Sequence, residues 1–315
     1  MSHDAEAGPA LARIAGAIDA LPAGRYVLAV SGGVDSMVLL DAFASRRADA
    51  VLTATFDHGT GAAARRAARL VEAETARRGL RIVSGRRAGA GGDTEDAWRV
   101  ARWAFLRAAA TDAEAVVVTA HTRDDQLETV VMRAIRDARH TSARGLAAMY
   151  ARSAIARPFL DLTRGELAAW ARSHRVRFLD DPTNVSRAYL RNRVRLDLLP
   201  ALERAHPGFG DTMLALSRRA GHWRTEMDAL AEFLSDRVAH AVVIPSARLA
   251  PIPAEGLAVL WPALAARLGI SMDWRGTARV VAFTLQGKAG GHVPISGGAR
   301  LERTRTTFVL RASRA

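Results

Sequence analysis

Residues 26–36 read Tyr-Val-Leu-Ala-Val-Ser-Gly-Gly-Val-Asp-Ser, an apolar run that enters a glycine turn and leaves it as a helix. No other segment narrows the possible folds as far. Tyr26 to Val30 has the length and unbroken apolarity of a strand buried on both faces, as strands are in parallel sheets covered by helices. Val34 to Phe43 is apolar on most sides, as a helix packed on such a sheet must be. Between them Ser31, Gly32 and Gly33 aim backbone N–H groups and the positive end of a helix dipole at one point. The segment Ala29 to Ser36 therefore predicts a cradle for phosphate. It is not a Walker A loop, which needs Gly-Lys-Ser/Thr to reach the β- and γ-phosphates; the only lysine in the chain is Lys288.

The strand–helix pattern recurs downstream. Val51 to Phe56, Leu80 to Ser84 and Ala115 to Thr119 read as further strands, and helices are expected over residues 11–21, 61–78 and 94–110. Another follows the fourth strand, where Leu127, Val130, Val131, Ala134 and Ile135 keep helical spacing. Strands alternating with helices predict an α/β fold with a doubly wound parallel sheet. After about residue 145 the alternation weakens. Thr163 and Glu166 form a capping-box pattern opening a helix to about His174, residues 180–184 read as a loop, and Arg187 to Arg204 reads as a basic helix. His206-Pro207-Gly208 breaks the chain before a long helix marked by Trp223, Met227, Leu230, Phe233 and Leu234. Val293, Ile295, Leu301, Phe308 and Leu310 alternate around Ser296-Gly297-Gly298, as in a small antiparallel sheet. The expected organisation is a catalytic domain over 1–210 and a smaller, mainly helical domain over 211–315.

Cysteine is absent, so disulfides, thiolate nucleophiles, zinc–thiolate sites and iron–sulfur clusters are all excluded. Lys+Arg is 45 against 32 for Asp+Glu, giving a net charge of +13 that favours polyanionic partners. Nearly all of that charge is guanidinium, whose planar fork suits phosphate oxygens. No apolar run is long enough to span a bilayer, and the first residues carry acids where a signal peptide needs a basic start. A cytoplasmic location with no membrane partner is expected.

Three further segments are candidates for the same cleft. Asp57-His58-Gly59 follows the second strand, where open α/β sheets place ligand loops, although the three residues equally suit a solvated turn. His121-Thr122-Arg123-Asp124-Asp125-Gln126-Leu127-Glu128 follows the fourth. Asp125 and Glu128 sit three apart on a starting helix, able to hold a metal and an amine or simply to complement the helix dipole. Arg99 and Arg102 share one helix face and would either stabilise phosphate charge or form a solvated basic surface.

The loop Ser31 to Ser36 resembles the Ser-Gly-Gly-x-Asp-Ser motif of the PP-loop ATP pyrophosphatases. Within that group the chain is similar to the tRNA(Ile)-lysidine synthetases. The similarity runs through Glu95 with Arg99, Arg102 and Trp103, then His121 to Glu128, then Arg157-Pro158-Phe159, and reaches Asp181-Pro182-Thr183-Asn184 and Arg191-Asn192-Arg193-Val194-Arg195. It covers about residues 20–210, more weakly 287–311. The resemblance implies an adenine nucleotide α-hydrolase-like fold and ATP bound by Ala29, Ser31, Gly32, Gly33, Val34, Asp35, Ser36, Asp57 and His58. It implies Mg²⁺ on Asp35 and Asp125, and Asp35, Arg102, His121, Asp125 and Glu128 as the catalytic set. The implied partners are free L-lysine and an isoleucine tRNA with a CAU anticodon, met by Asn184, Arg191, Arg193 and Arg195; a second copy of the chain is left open. The arginines could instead pair with acids such as Asp180 or Asp181. The implied reaction adenylates C2 of the wobble cytidine and replaces AMP by lysine. Another PP-loop ligase, acting on a different RNA base or a small acid, and a non-catalytic RNA-binding protein are the alternatives. One departure stands out: near 136–146 the family's Arg-Gly-Ser-Gly is stretched by about three residues, with His140 and Ser142 in place of glycines. The short length suggests one C-terminal domain rather than two.

Overall fold

The computed structural model describes residues 3–59, 61–87, 95–136, 143–151, 153–180, 186–295 and 298–312. The first elements are α1 (His3–Asp19), β1 (Tyr26–Ala29), α2 (Val34–Arg46), β2 (Val51–Asp57), α3 (Ala62–Arg77) and β3 (Arg81–Arg86). They continue as α4 (Glu95–Asp112), β4 (Val116–Val118), α5 (Arg123–Arg136), α6 (Ala143–Leu146), β5 (Ile155–Ala156) and α7 (Arg164–Ser173). Next come α8 (Leu190–Arg193), a wide π-helical turn over Val194–Leu198, α9 (Leu199–Ala205) and α10 (Phe209–Leu234). The expected basic helix is thus real but starts at Leu190 and is underwound in the middle.

The first sheet has the order β3-β2-β1-β4-β5 and every pairing is parallel. Its central strands β1 and β2 are buried on both sides, while the edge strand β3 is partly exposed. Tyr26, Leu28 and Val30 point into a core shared with Met37, Leu39, Leu40, Phe43, Phe159, Leu167 and Trp170, whereas Val27 points to the opposite core with Ala54, Leu106 and Val117. Alternate side chains of one strand serve two layers, which is why the strand reads as a continuous apolar run. The chain winds outward from β1 through β2 to β3, then returns to the other side of β1 through β4. The loops leaving β1 and β4 therefore diverge and open a crevice at their carboxyl ends. β5 escaped the sequence reading because two residues are too few to show periodicity.

By compactness the chain forms one unit of Met1–Met132 with Ser153–Leu214 and another of Arg133–Arg152 with Ala215–Ala315. The division differs from a single cut near residue 210: it falls inside α10, and residues 133–152 join the second unit. There, β6 (Asp236–Val238), β7 (Ala241–Pro245), β8 (His292–Pro294), β9 (Arg300–Arg303) and β10 (Thr307–Arg311) form an antiparallel sheet ordered β6-β7-β10-β9-β8. Val242, Ile244, Leu301, Phe308 and Leu310 share its core with Trp261 and Leu264 of α12 (Ala254–Ala266) and Val280 of α13 (Trp274–Gln286); α11 is the short Ser246–Leu249. The second unit is helical with an antiparallel sheet, as expected, and β6 and β7 extend that sheet beyond the segment around 293–310. Among the described residues no helix is long and apolar enough to cross a membrane. The stretched segment at 137–142 lies outside the described residues.

Candidate active site

Val30 extends the first pairing, donating its N–H to Ala54 O at 2.9 Å, and the chain then turns through Ser31–Gly33 into α2. Gly32 takes φ of +90°, a left-handed conformation, and a Cβ there would lie 3.1 Å from Ala67 Cβ and 3.2 Å from its carbonyl oxygen. Only glycine meets both conditions. The turn is braced by Ser36, whose Oγ accepts from Ser31 N at 3.1 Å and donates to Gly33 O at 2.9 Å. No side chain caps α2 at Gly33, so the positive helix end and its first N–H groups are left for an anion. Gly32→Ala is expected to cost about 1–3 kcal/mol in unfolding free energy and to weaken ATP binding together with it, as read by thermal melts and nucleotide titration.

Asp35 stands in the first turn of α2. Its Oδ1 is buried without a hydrogen-bond partner, while Oδ2 lies 3.8 Å from Arg164 Nε. Burial raises its carboxyl to about 6; Arg164 opposes that and the nearby Asp125 and Asp124 add to it. Magnesium takes one or two protein carboxylates and fills its remaining positions with water and phosphate oxygens. The free Oδ1 of Asp35 suits that role. Asp125 does not offer the same: its Oδ2 accepts from Thr122 N at 2.9 Å and Thr122 Oγ1 at 2.8 Å, and its Oδ1 from Arg164 Nη2 at 2.5 Å and Arg191 Nη2 at 3.0 Å. The metal role expected of Asp125 would require it to exchange one of these contacts for the ion, whereas Asp35 has an oxygen free. Among the described residues no cluster of three or more acidic or histidine side chains forms a metal cage.

Three residues along α5, Glu128 is buried, with 1% of its side chain exposed, beneath three guanidinium groups. Its Oε1 accepts from Arg164 Nη1 at 2.8 Å and Arg195 Nε at 2.7 Å, and its Oε2 from Arg191 Nε at 2.6 Å. Burial alone would favour the neutral acid, but Arg195, Arg164 and Arg191 outweigh it and hold Glu128 below the usual carboxylate range; the same balance lowers Asp125. Arg191 and Arg195, expected to meet RNA or to pair with acids such as Asp180 or Asp181, here meet carboxylates of α5; Asp181 lies outside the described residues. Spaced one turn apart, Arg191 turns inward onto Asp125 and Glu128 and Arg195 onto Glu128, whereas Arg193 between them is exposed. Asn184 lies outside the described residues. Arg164 was not anticipated at all. It opens α7 beside Thr163, whose capping box with Glu166 is present as expected, and nothing in that local pattern signals carboxylates near Asp125 and Glu128.

His121 leaves the end of β4. Thr119 Oγ1 is 2.7 Å from its Nδ1, and burial, reinforced by Arg157, Arg191 and Arg102 against Asp125, takes its imidazole to about 4. It is therefore neutral at pH 7. His58 follows β2, with its ring 5.2 Å from Phe56 and 6.5 Å from Trp98, and burial lowers it too. Asp57 accepts from Gly59 N at 2.8 Å and has Arg86 Nε at 3.6 Å, which brace the turn after β2. Arg102 lies on α4 with its guanidinium 5.9 Å over the Trp103 ring. Among the described residues seven buried side-chain N or O atoms lack a hydrogen-bond partner. Five of them belong to Asp35, His58, Trp98, Arg102 and Arg157, at the strand ends or in the early turns of α2 and α4. Folded chains leave few buried polar groups unpaired, and a concentration of them at the strand ends marks where a polar ligand completes the structure.

The PP-loop domain family model matches residues 9–202. The chain is 37% identical to a tRNA(Ile)-lysidine synthase of Polaromonas naphthalenivorans over 69% of each chain. It is 40% identical to one from Bradyrhizobium sp. strain BTAi1, over 66% of this chain and 61% of that protein. It spans about half the length of others, such as the 49% covered of the one from Xanthomonas campestris pv. campestris strain 8004. Among solved structures a U34-tRNA thiolase from Methanococcus maripaludis, with its 4Fe–4S cluster, has a TM-score of 0.55 at 16% identity, over 69% of this chain and 78% of that one. That likeness is one of fold; this chain has no cysteine for such a cluster. With the family model covering the glycine loop, both carboxylates and the arginines around them, the chain belongs to the PP-loop family and, within it, to the tRNA(Ile)-lysidine synthases.

Proposed function

We propose that the chain ligates free L-lysine to C2 of the wobble cytidine of a CAU-anticodon isoleucine tRNA, consuming ATP and releasing pyrophosphate and AMP. The observation that carries this reading is the buried Asp125–Glu128 pair held ionised beside the glycine loop and Asp35. An ammonium substrate needs such a pair, and a nucleotide needs such a loop.

In the first step the C2 carbonyl oxygen attacks the α-phosphorus of ATP and pyrophosphate leaves. The uncapped N–H groups of α2 receive the departing pyrophosphate. Asp35 would hold Mg²⁺ through its free oxygen, and the ion when bound neutralises phosphate charge. Arg102, which has no acidic partner among the described residues, stabilises charge on the α-phosphoryl group; His121, neutral, accepts or donates one hydrogen bond without adding charge. In the second step the lysine ε-nitrogen bonds to C2, the C2–oxygen bond breaks, and AMP departs with that oxygen. The amine is an ammonium at pH 7 and must lose a proton to become a nucleophile. Glu128 and Asp125 exchange arginine contacts for the ammonium, and as arginines withdraw the carboxylates become more basic and accept the proton.

The test is incorporation of labelled lysine, with ATP and Mg²⁺, into an unmodified CAU isoleucine tRNA transcript, with initiator methionine tRNA as control. Label resistant to mild base on the isoleucine transcript alone is expected. Nucleotide binding without any lysine transfer would overturn the substrate assignment.

A further inference from the structure

Among the described residues Arg164 alone pairs with acids on both sides of the site. Its Nη2 reaches Asp125 Oδ1 at 2.5 Å and its Nη1 reaches Glu128 Oε1 at 2.8 Å, while its Nε faces Asp35 Oδ2 at 3.8 Å, in the first turn after the glycine loop. Arg191 and Arg195 pair only on the α5 side. The backbone of Arg164 is pinned: its N–H donates to Asp124 Oδ2 at 2.9 Å, Arg123 N donates to Leu162 O at 2.8 Å, and the capping box of Thr163 and Glu166 closes the same turn. The start of α7 is thus tied to the start of α5, while the Arg164 side chain keeps 26% of its surface in water. A fixed base and a long, partly exposed side chain make an arm that can change partners without moving the fold.

Asp125 and Glu128 carry two negative charges and are met by three guanidinium groups. Each of their four oxygens already accepts from an arginine or from Thr122. A substrate ammonium entering beside them would be a fourth cation against two carboxylates, so its binding requires one arginine to leave. A guanidinium gives up a buried carboxylate only in exchange for another anion. Arg164 has that exchange within reach. A phosphate received by the uncapped N–H groups of α2 would lie beside Asp35, on the side that Arg164 Nε already faces. We propose that Arg164 is a place-holder for the substrate ammonium: it occupies Asp125 and Glu128 until the phosphates of ATP draw it away, and its transfer opens the two carboxylates to lysine. Nucleotide and lysine then bind with positive coupling, each tightening the other by the same factor. The inference deepens the functional reading and rests on it for the identity of the ammonium. It makes Arg164 a positioning residue that links the two half-reactions, since lysine is held where an adenylate can form.

The experiment measures equilibrium binding of L-lysine to the full chain in the presence of Mg²⁺, with and without α,β-methylene-ATP, whose α–β linkage is not cleaved. The parent is expected to bind lysine about tenfold or more tightly when the nucleotide is present. Arg164→Gln, checked by thermal melting, should bind lysine more tightly than the parent in the absence of nucleotide and lose the coupling, its two affinities agreeing within about twofold. Arg164→Lys, which keeps the charge without the fork, should retain part of the coupling. A side chain that merely held the fold together would lower both affinities and leave their ratio as in the parent; that result in a folded Gln variant overturns the proposal. A parent whose lysine affinity ignores the nucleotide also overturns it, a comparison that needs no variant and stands if the Gln variant fails to fold. Lysine binding without coupling removes this inference alone, whereas no lysine binding in any arm removes the functional reading and the inference with it.

Discussion

Asp35→Asn is expected to raise the stability of the ligand-free protein while lowering ATP-dependent activity by about a thousandfold, the several kcal/mol a metal ion supplies to phosphoryl transfer. The two effects have one origin. The carboxyl is displaced from 3.8 to about 6 because its Oδ1 is buried without a partner, so the native state binds its proton more tightly than the unfolded chain does. Stability contributed by this group therefore falls as pH rises from about 4 to about 6, and at pH 7 the ionised carboxylate costs the fold about 3 kcal/mol. An amide carries no charge to desolvate. Melting of the Asn variant should exceed that of the parent by several degrees at pH 7, and the difference should shrink toward pH 4. An Asn variant less stable than the parent at pH 7 would refute this account of Asp35. Activity of the parent should decline below about pH 6, as Asp35 takes up the proton that competes with its cation.

Glu128→Gln should do the opposite to stability and the same to chemistry. The carboxylate joins three arginines, and removing its charge leaves Arg164 and Arg191 to Asp125, with Asp35 also near Arg164, and Arg195 without its partner. Breaking a buried pair from one side costs about 3–5 kcal/mol; here about 2–3 kcal/mol is expected, since the arginine side chains keep 26–36% of their surface in water. Glu128 titrates below its ordinary 4.5, so its contribution is complete above that value and fades as pH falls through its lower native value. The Gln variant should accordingly show a shallower loss of stability on acidification. Lysine transfer should drop by about a hundredfold to ten-thousandfold with ATP affinity retained, as expected for loss of a group that binds and deprotonates the amine. A parallel loss of ATP affinity would reassign Glu128 to the nucleotide.

These effects were unevenly legible beforehand. β1, the glycine turn and α2 announce themselves because each depends on residues a few positions apart: an apolar run, two glycines and a helix start. The capping box of Thr163 and Glu166 is local in the same way and forms as written, with both reciprocal hydrogen bonds present. Arg191 and Arg195 were visible as a basic helix, yet their direction was not. A helical pattern shows that two residues share a face without showing what that face meets. Arg164, Arg157 and Trp98 carried little or no signal of their own, being single residues of ordinary type on elements recognised for other reasons.

The chain's own residues were enough to determine the alternation of strand and helix, the phosphate-binding turn, the absence of thiol chemistry and the acidic pair at the start of α5. Each follows from backbone hydrogen bonding, periodicity or composition, which act over one element at a time. Only the tertiary structure decided which guanidinium meets which carboxylate and which are left without one. That choice depends on the order β3-β2-β1-β4-β5, which brings residues far apart in the chain to the carboxyl ends of neighbouring strands. Desolvation there sets the charge each group can keep, raising Asp35 and lowering Glu128, and burial is a property of the folded neighbourhood rather than of any short stretch of sequence.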